Sequence, residues 1–152
     1  MRKIVLNKKY GGFNLSVKAI KRLHEIKHPN EEVYLYEAEA FYKDSNLITV
    51  YRKIDSIDNI SDKSRNIYVS TKDLGDTAND DLEDFIIINE DWDARHDPAL
   101  VQVVEELGEE ASGRYSKLKI EEIDDDDKYV IDEYDGLEYL ILKSRVANWN
   151  WQ

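Results

Sequence analysis

Two adjacent glycines, Gly11 and Gly12, divide the N-terminal stretch KIVLNKKYGGFNLSVKAIKRLHEIKH and constrain its fold more tightly than any other feature. Before them, Ile4, Val5 and Leu6 form an apolar run too short for a helix, ended by Asn7-Lys8-Lys9. The glycines tolerate positive φ, so the backbone can reverse sharply there. Ser16 has the profile of a helix N-cap, with Leu15 and Ile20 spaced as a hydrophobic staple. Val17, Ala19, Ile20, Leu23 and Ile26 then recur near helical period, and His28-Pro29 ends the helix. Strand, glycine turn and helix N-terminus together offer N–H groups and partial positive charge to an anion. YGGF matches neither the P-loop nor the dinucleotide fingerprint.

Charge sharpens this reading. Residues 1–30 carry eight Lys or Arg and one acid, Glu25, a net of +7, whereas the whole chain is −12 and the other 122 residues therefore −19. A basic element on an acidic body is compensated internally, by acidic strands or a second copy, or it marks an anion site at Tyr10 to Lys18.

At 152 residues with 41% hydrophobic content, one domain spanning 1–152 is expected. The chain has no cysteine, which removes disulfides and thiolate chemistry and suits a cytoplasmic protein. No apolar run approaches a membrane span, and the run after Arg2-Lys3 stops too early for a signal peptide. The acidity argues against general nucleic-acid binding. Ten tyrosines and three tryptophans supply many flat faces for stacking.

Further along, residues 31–42 alternate as a strand, Lys43 to Asn46 read as a turn, and Leu47 to Ile54 as the partner strand, a hairpin with a loop of moderate length. Residues 55–64 read as a loop, 66–71 as a strand, 73–84 as an acidic loop with one helical turn, and 85–88 as a buried central strand. Asp97 and Pro98 start a second helix, expected over 97–112 and stopped by Gly113 in the left-handed region. Its Glu105, Glu106, Glu109 and Glu110 read as a solvated face. Residues 118–123 and 129–131 flank Asp124 to Lys128, which suggests a hairpin with an acidic tip; the tip lacks EF-hand spacing. DDDDK is also an enteropeptidase-type cleavage sequence. Tyr134-Asp135-Gly136 is another turn, and 137–142 the last strand or a short helix before a tail holding Trp149 and Trp151.

The strings KIVLNKKYGGFNLS, YVSTKDLGD, RHDPALVQVVEELGEEASGRYSKLKIEEI and YVIDEYDGLE resemble a family of small accessory proteins of tailed phages and large DNA viruses. The resemblance covers most of the chain and brings no catalytic motif. It implies a viral protein acting in the host cytoplasm, of a kind that blocks host defence by binding a protein or sequestering a nucleotide signal.

His24-Glu25-Ile26-Lys27-His28 is a literal H-E-x-x-H, the zincin pattern of two histidine ligands and a glutamate base. Lys27 and Pro29 disfavour it, and only Glu31, Glu32 or His96 offer a third ligand, so no metal is expected and His24 and His28 stand as weak candidates. The 33 acids guarantee close carboxylate pairs somewhere, so such pairs carry no signal. Arg95 and Arg114 flank the second helix as salt-bridging residues or anion clamps.

The expectation is an α+β fold with a mainly antiparallel sheet of about six to eight strands and two principal helices. Functionally it is a non-enzymatic, cofactor-free anti-defence protein that captures a nucleotide-like immune signal. Gly11, Gly12 and the Ser16 helix start would hold phosphate, with Lys8, Lys9, Lys18, Arg95 and Arg114 adding charge and Tyr10, Phe13, Trp149 or Trp151 stacking on a base. The rival is an acidic, DNA-mimic-like decoy for a host protein, and the third reading is zinc hydrolysis through HEIKH. A homo-oligomer is compatible with each.

Overall fold

The apolar run after Arg2-Lys3 forms strand β1 (Arg2–Asn7) in the computed structural model, which describes residues 1–55, 67–78 and 95–146. The chain gathers into two compact units, one formed by Met1–Leu15 with Asn89–Gln152 and the other by Ser16–Ile88. Among the described residues, two helices and eight strands in antiparallel sheets make it α+β. Among the described residues no helix is long and apolar enough to cross a membrane. The central strand expected at 85–88, most of the 55–64 loop and residues 79–84 of the acidic segment lie outside the described residues; within the part of that segment described, Thr77–Ala78 form a short strand and not a loop or helical turn.

In the first unit, β1 pairs antiparallel with β6 (Leu118–Ile123), Val5 opposite Ile120 and Asn7 opposite Leu118. Alternation sends Ile4 and Leu6 to one face, where they join Ile123 and the inner side chains of a hairpin, Tyr129, Ile131, Leu140 and Leu142. Helix α2 (Pro98–Leu107) packs on β1 and β6 and buries Leu100, Val101, Val103 and Val104. Ile4, Val5 and Leu6 are fully buried, each worth roughly 1.5–3 kcal/mol of hydrophobic stabilisation.

The hairpin is not the expected one. Strand β6 takes β1 as its partner, and β7 (Tyr129–Tyr134) pairs with β8 (Leu137–Leu142). Asp135 and Gly136 form the two-residue loop between them, at φ 49° and 86°, as a type I′ turn requires. The aspartate run is a connection. Asp127 takes hydrogen bonds from the Ser144 hydroxyl (2.7 Å) and amide (3.3 Å), and its carbonyl accepts from the Arg2 guanidinium.

Asp97 caps α2 by accepting from the Ala99 amide at 2.9 Å, with Pro98 in the first turn. The helix stops earlier than its apolar pattern suggests. Gly108 takes φ +58° as the C-cap, and a short 3-10 turn (Gly108–Ala111) follows. Gly113 has a different task, close approach: a Cβ there would lie 2.9 Å from the Asn14 side chain.

In the second unit, Ser16 caps helix α1 (Val17–Lys27), its hydroxyl accepting from the Ala19 amide at 3.1 Å. Only Ala19 of the apolar stripe is buried fully; Val17, Ile20, Leu23 and Ile26 are half-buried. Strands β2 (Tyr34–Lys43), β3 (Asn46–Ile54), β4 (Ile67–Ser70) and β5 (Thr77–Ala78) form one sheet in the order β4-β2-β3-β5. Tyr36 and Tyr51 centre its core among Tyr34, Ala38, Leu74 and Ala78. The Tyr36 hydroxyl is satisfied twice, donating to the Gly75 carbonyl at 2.9 Å and accepting from the Leu74 amide at 2.8 Å. The loop between β2 and β3 is shorter than anticipated. Asp44 and Ser45 alone make it, at φ 52° and 68°.

Left-handed φ at a non-glycine residue costs roughly 1–2 kcal/mol. Ser45→Gly should therefore stabilise the protein by about 1 kcal/mol, read as a higher urea midpoint at unchanged slope, and Ser45→Val should destabilise it. Asp73 provides a pH test. Its carboxylate accepts from Lys53 Nζ at 2.7 Å and the Gly75 amide at 2.9 Å, which holds it below its ordinary value of 3.8. The stability from this group is complete above pH 3.8 and disappears as pH falls through the lower folded value. A carboxyl-carbon NMR titration should place Asp73 below 3.8, and Lys53→Met should raise its midpoint.

Candidate functional site

The site grows from the end of β1. Asn7 is fully buried, and every polar atom of its side chain is used. Its Nδ2 donates to the carbonyls of Lys9 and Gly136, both at 2.7 Å, and its Oδ1 accepts from the Lys117 amide at 2.9 Å. The Asn7 backbone amide donates to Glu138 Oε1 at 2.7 Å. One side chain thus ties three segments: the approach to the glycine pair, the β7–β8 turn and the start of β6.

Glu138 and Arg95 complete this joint. Arg95 is 1% exposed and Glu138 3%. Arg95 Nη1 and Nη2 grip the two carboxylate oxygens at 2.5 and 2.8 Å, a two-point pairing, and Nη1 also reaches the Val5 carbonyl at 3.3 Å. The Val5 amide donates to the Arg95 carbonyl at 2.9 Å. Arg95 therefore occupies the edge of β1 that β6 does not. The Phe13 ring, 7% exposed, lies against the guanidinium with 3.6 Å from Cζ to its centroid. Salt-bridging is what Arg95 does here, and Phe13 stacks on it inside the unit.

The glycine turn is equally occupied. Gly11 and Gly12 adopt φ +122° and +116°. The Gly11 amide donates to the Asp135 carbonyl at 2.9 Å. A Cβ on Gly136 would fall 2.2 Å from the Gly12 nitrogen, and one on Gly11 would meet the Tyr115 carbonyl at 2.9 Å. Two turns are pressed backbone against backbone, which only missing side chains permit. Lys8 also has partners, the Glu138 carbonyl at 2.8 Å and the Glu121 carboxylate at 3.0 Å. Lys3 pairs with Glu105 at 3.0 Å. These contacts pair two of the eight cations of residues 1–30 with acids of the first unit.

Aromatic side chains radiate from this joint into solvent. Tyr10 is 57% exposed and Tyr134 72%, their rings edge to face at 6.4 Å. Tyr115, 54% exposed, leaves the backbone that covers Gly11. The Arg114 guanidinium lies over the Tyr115 ring, 5.1 Å from its centroid, with no carboxylate partner among the described residues. Tyr139 stands nearby in β8, its phenol bonded to Asp132 at 3.1 Å and thereby pushed above its ordinary pKa. Of the expected binding residues, the structure brings together Tyr10, Gly11, Gly12, Phe13 and Arg95 at the joint, with Arg114 beside it. Ser16 and Lys18 belong to the second unit, where Ser16 caps α1. Trp149 and Trp151 lie outside the described residues. Sequence reasoning missed Tyr115, Tyr134 and Glu138, although Asp135-Gly136 announces the turn that displays Tyr134.

In HEIKH, the His24 Nε2 is 3.0 Å from Glu31 Oε2, and the His24 and His28 rings stack tilted at 4.7 Å. His28 is the C-cap, at φ −135°, off the helical path. Among the described residues no group of three or more His, Asp or Glu is placed to hold a metal ion.

Glu138→Gln leaves the Arg95 charge buried without its counterion and should cost about 3–5 kcal/mol in chemical denaturation. Removing the surface partner of Lys3 by Glu105→Gln should cost at most about 1 kcal/mol, and equal losses would deny the buried pair its role. No protein-family model matches this chain, and no curated protein or solved structure matches it either.

Proposed function

We propose that the protein is a non-catalytic binding protein whose first unit captures a small nucleotide-like ligand on Tyr10, Tyr115 and Tyr134, with Arg114 meeting its phosphate. The observation that carries this reading is three solvent-exposed phenol rings set around a backbone joint made rigid by buried hydrogen bonds. Rigid, exposed aromatic faces are well suited to stacking on a base, at about 1–3 kcal/mol per base. The phosphate is assigned to side-chain charge, since the Gly11 amide is already used by Asp135. Arg114 and the exposed Lys9 provide that charge. The resemblance to phage and viral accessory proteins favours a host immune signal as the ligand, held in the host cytoplasm and withheld from its receptor.

A second reading has its own observation. The last turn of α2 carries no basic residue, Glu109 and Glu110 just beyond it are exposed, and so are Asp124, Asp125 and Asp126. Such exposed carboxylate suits an acidic decoy for a basic face of a host protein.

Thermal-shift and calorimetric titration with cyclic and linear nucleotides separates the two. One nucleotide class should raise the melting temperature by several degrees. Tyr134→Ala should then weaken its affinity about 5- to 150-fold, the equivalent of one lost stack, and Arg114→Glu should abolish phosphate-dependent binding. No nucleotide shift, together with a host-protein complex that dissolves steeply with salt, would transfer the function to the acidic surface.

A further inference from the structure

Of the six glycines in the chain, only Gly136 follows an Asp or Asn residue. Asp-Gly is the bond at which aspartate isomerises most readily, because glycine puts no side chain in the way of ring closure. The Gly136 nitrogen attacks Asp135 Cγ, a C–N bond forms, and the carboxyl OH leaves with the amide proton as water, giving a five-membered succinimide. Water then adds to either ring carbonyl. Addition at Cγ restores aspartate, and addition at the former backbone carbonyl leaves isoaspartate, with the chain running through Cβ and Cγ.

The fold opposes the first step. Asp135, at φ 49°, holds the first central position of a type I′ turn, where a ψ of about +30° points the Gly136 nitrogen away from Cβ. Ring closure needs that nitrogen on the Cβ side, so the Asp135–Gly136 peptide unit must first swing round. Both ends of this unit are held. Its carbonyl accepts from the Gly11 amide at 2.9 Å, and its N–H donates to Glu133 Oε2 at 2.8 Å. Just beyond it, the Gly136 carbonyl accepts from the buried Asn7 Nδ2 at 2.7 Å.

We propose that Asp135 is a modification site latched by this joint: it converts to isoaspartate only through states in which Gly11 and Glu133 have released the peptide unit. Conversion then bars the way back. Isoaspartate adds one backbone carbon to a two-residue loop whose packing on Gly12 leaves no room even for a Cβ on Gly136. It also lengthens the path between Tyr134 and Leu137, the pair that closes the loop. Each opening of the joint therefore carries a chance of permanent loss of the joint.

The test incubates the full chain at neutral pH, folded and in guanidinium chloride, and follows isoaspartate by enzymatic methylation and by fragment-ion mass spectrometry of the peptide holding Asp135. The folded wild type should convert more slowly than the denatured chain by roughly tenfold or more, since local opening must come first. Glu133→Ala takes one charge-assisted hydrogen bond from the latch and should speed conversion of the folded protein about tenfold, with the denatured rates equal. The purified isoaspartate form should unfold at lower denaturant and lose the ring contact between Tyr10 and Tyr134, read by NMR. Equal rates for folded and denatured wild type overturn the proposal. So does a Glu133→Ala variant that converts no faster, or more slowly, which would make Glu133 the base that takes the amide proton. An isoaspartate form as stable as its parent overturns it too.

Discussion

The first unit depends on how β1 is enclosed. A buried strand must satisfy two rows of backbone donors and acceptors, and β6 supplies only one. The other is met by the Arg95 backbone and side chain and by the Glu138 carboxylate, which also receives the Asn7 amide. Arginine and glutamate thus complete a sheet edge where a third strand would ordinarily lie. Burying the pair costs both ions their hydration, and that cost is offset by two-point geometry, backbone partners and the Phe13 face. The joint at Asn7, the glycine turn and the displayed tyrosines all rest on this enclosure.

What could be read from the sequence was local. Ser16 and Asp97 cap their helices as expected, because capping chemistry is complete within three residues. The strands of the β2–β3 hairpin and β6 fall close to their predicted positions for a similar reason, short-range alternation, and residues 137–142, open between strand and short helix, form β8. Partners were harder. The 118–131 hairpin was inferred from proximity along the chain, while β6 in fact pairs with residues more than a hundred positions earlier. Asp135-Gly136 between alternating strands was the stronger turn signal.

At the candidate site the special backbone was legible and its contacts were not. Glycines next to aromatics did mark a special backbone, but their freedom serves packing between two turns, as the Gly12–Gly136 approach shows. Gly113 is a parallel case: the sequence announces a glycine and cannot say whether φ or contact demands it. Arg95 and Glu138 lie 43 residues apart, and in a chain with 33 acids nothing local distinguishes the one carboxylate that is buried among the described residues. The basic N-terminal segment divides between the two units at Ser16, so its charge is shared out between them.

The discontinuous first unit has a consequence in time. Val5 pairs with Ile120, and the whole second unit is encoded between them. At translation rates of roughly 5–20 residues per second, β1 emerges on the order of ten seconds before its ladder partner exists. Three consecutive core residues, Ile4, Val5 and Leu6, must wait on the nascent chain while the second unit can already fold. The lysines that follow them, Lys8 and Lys9, set two positive charges beside that waiting strand before β6 exists to pair with it.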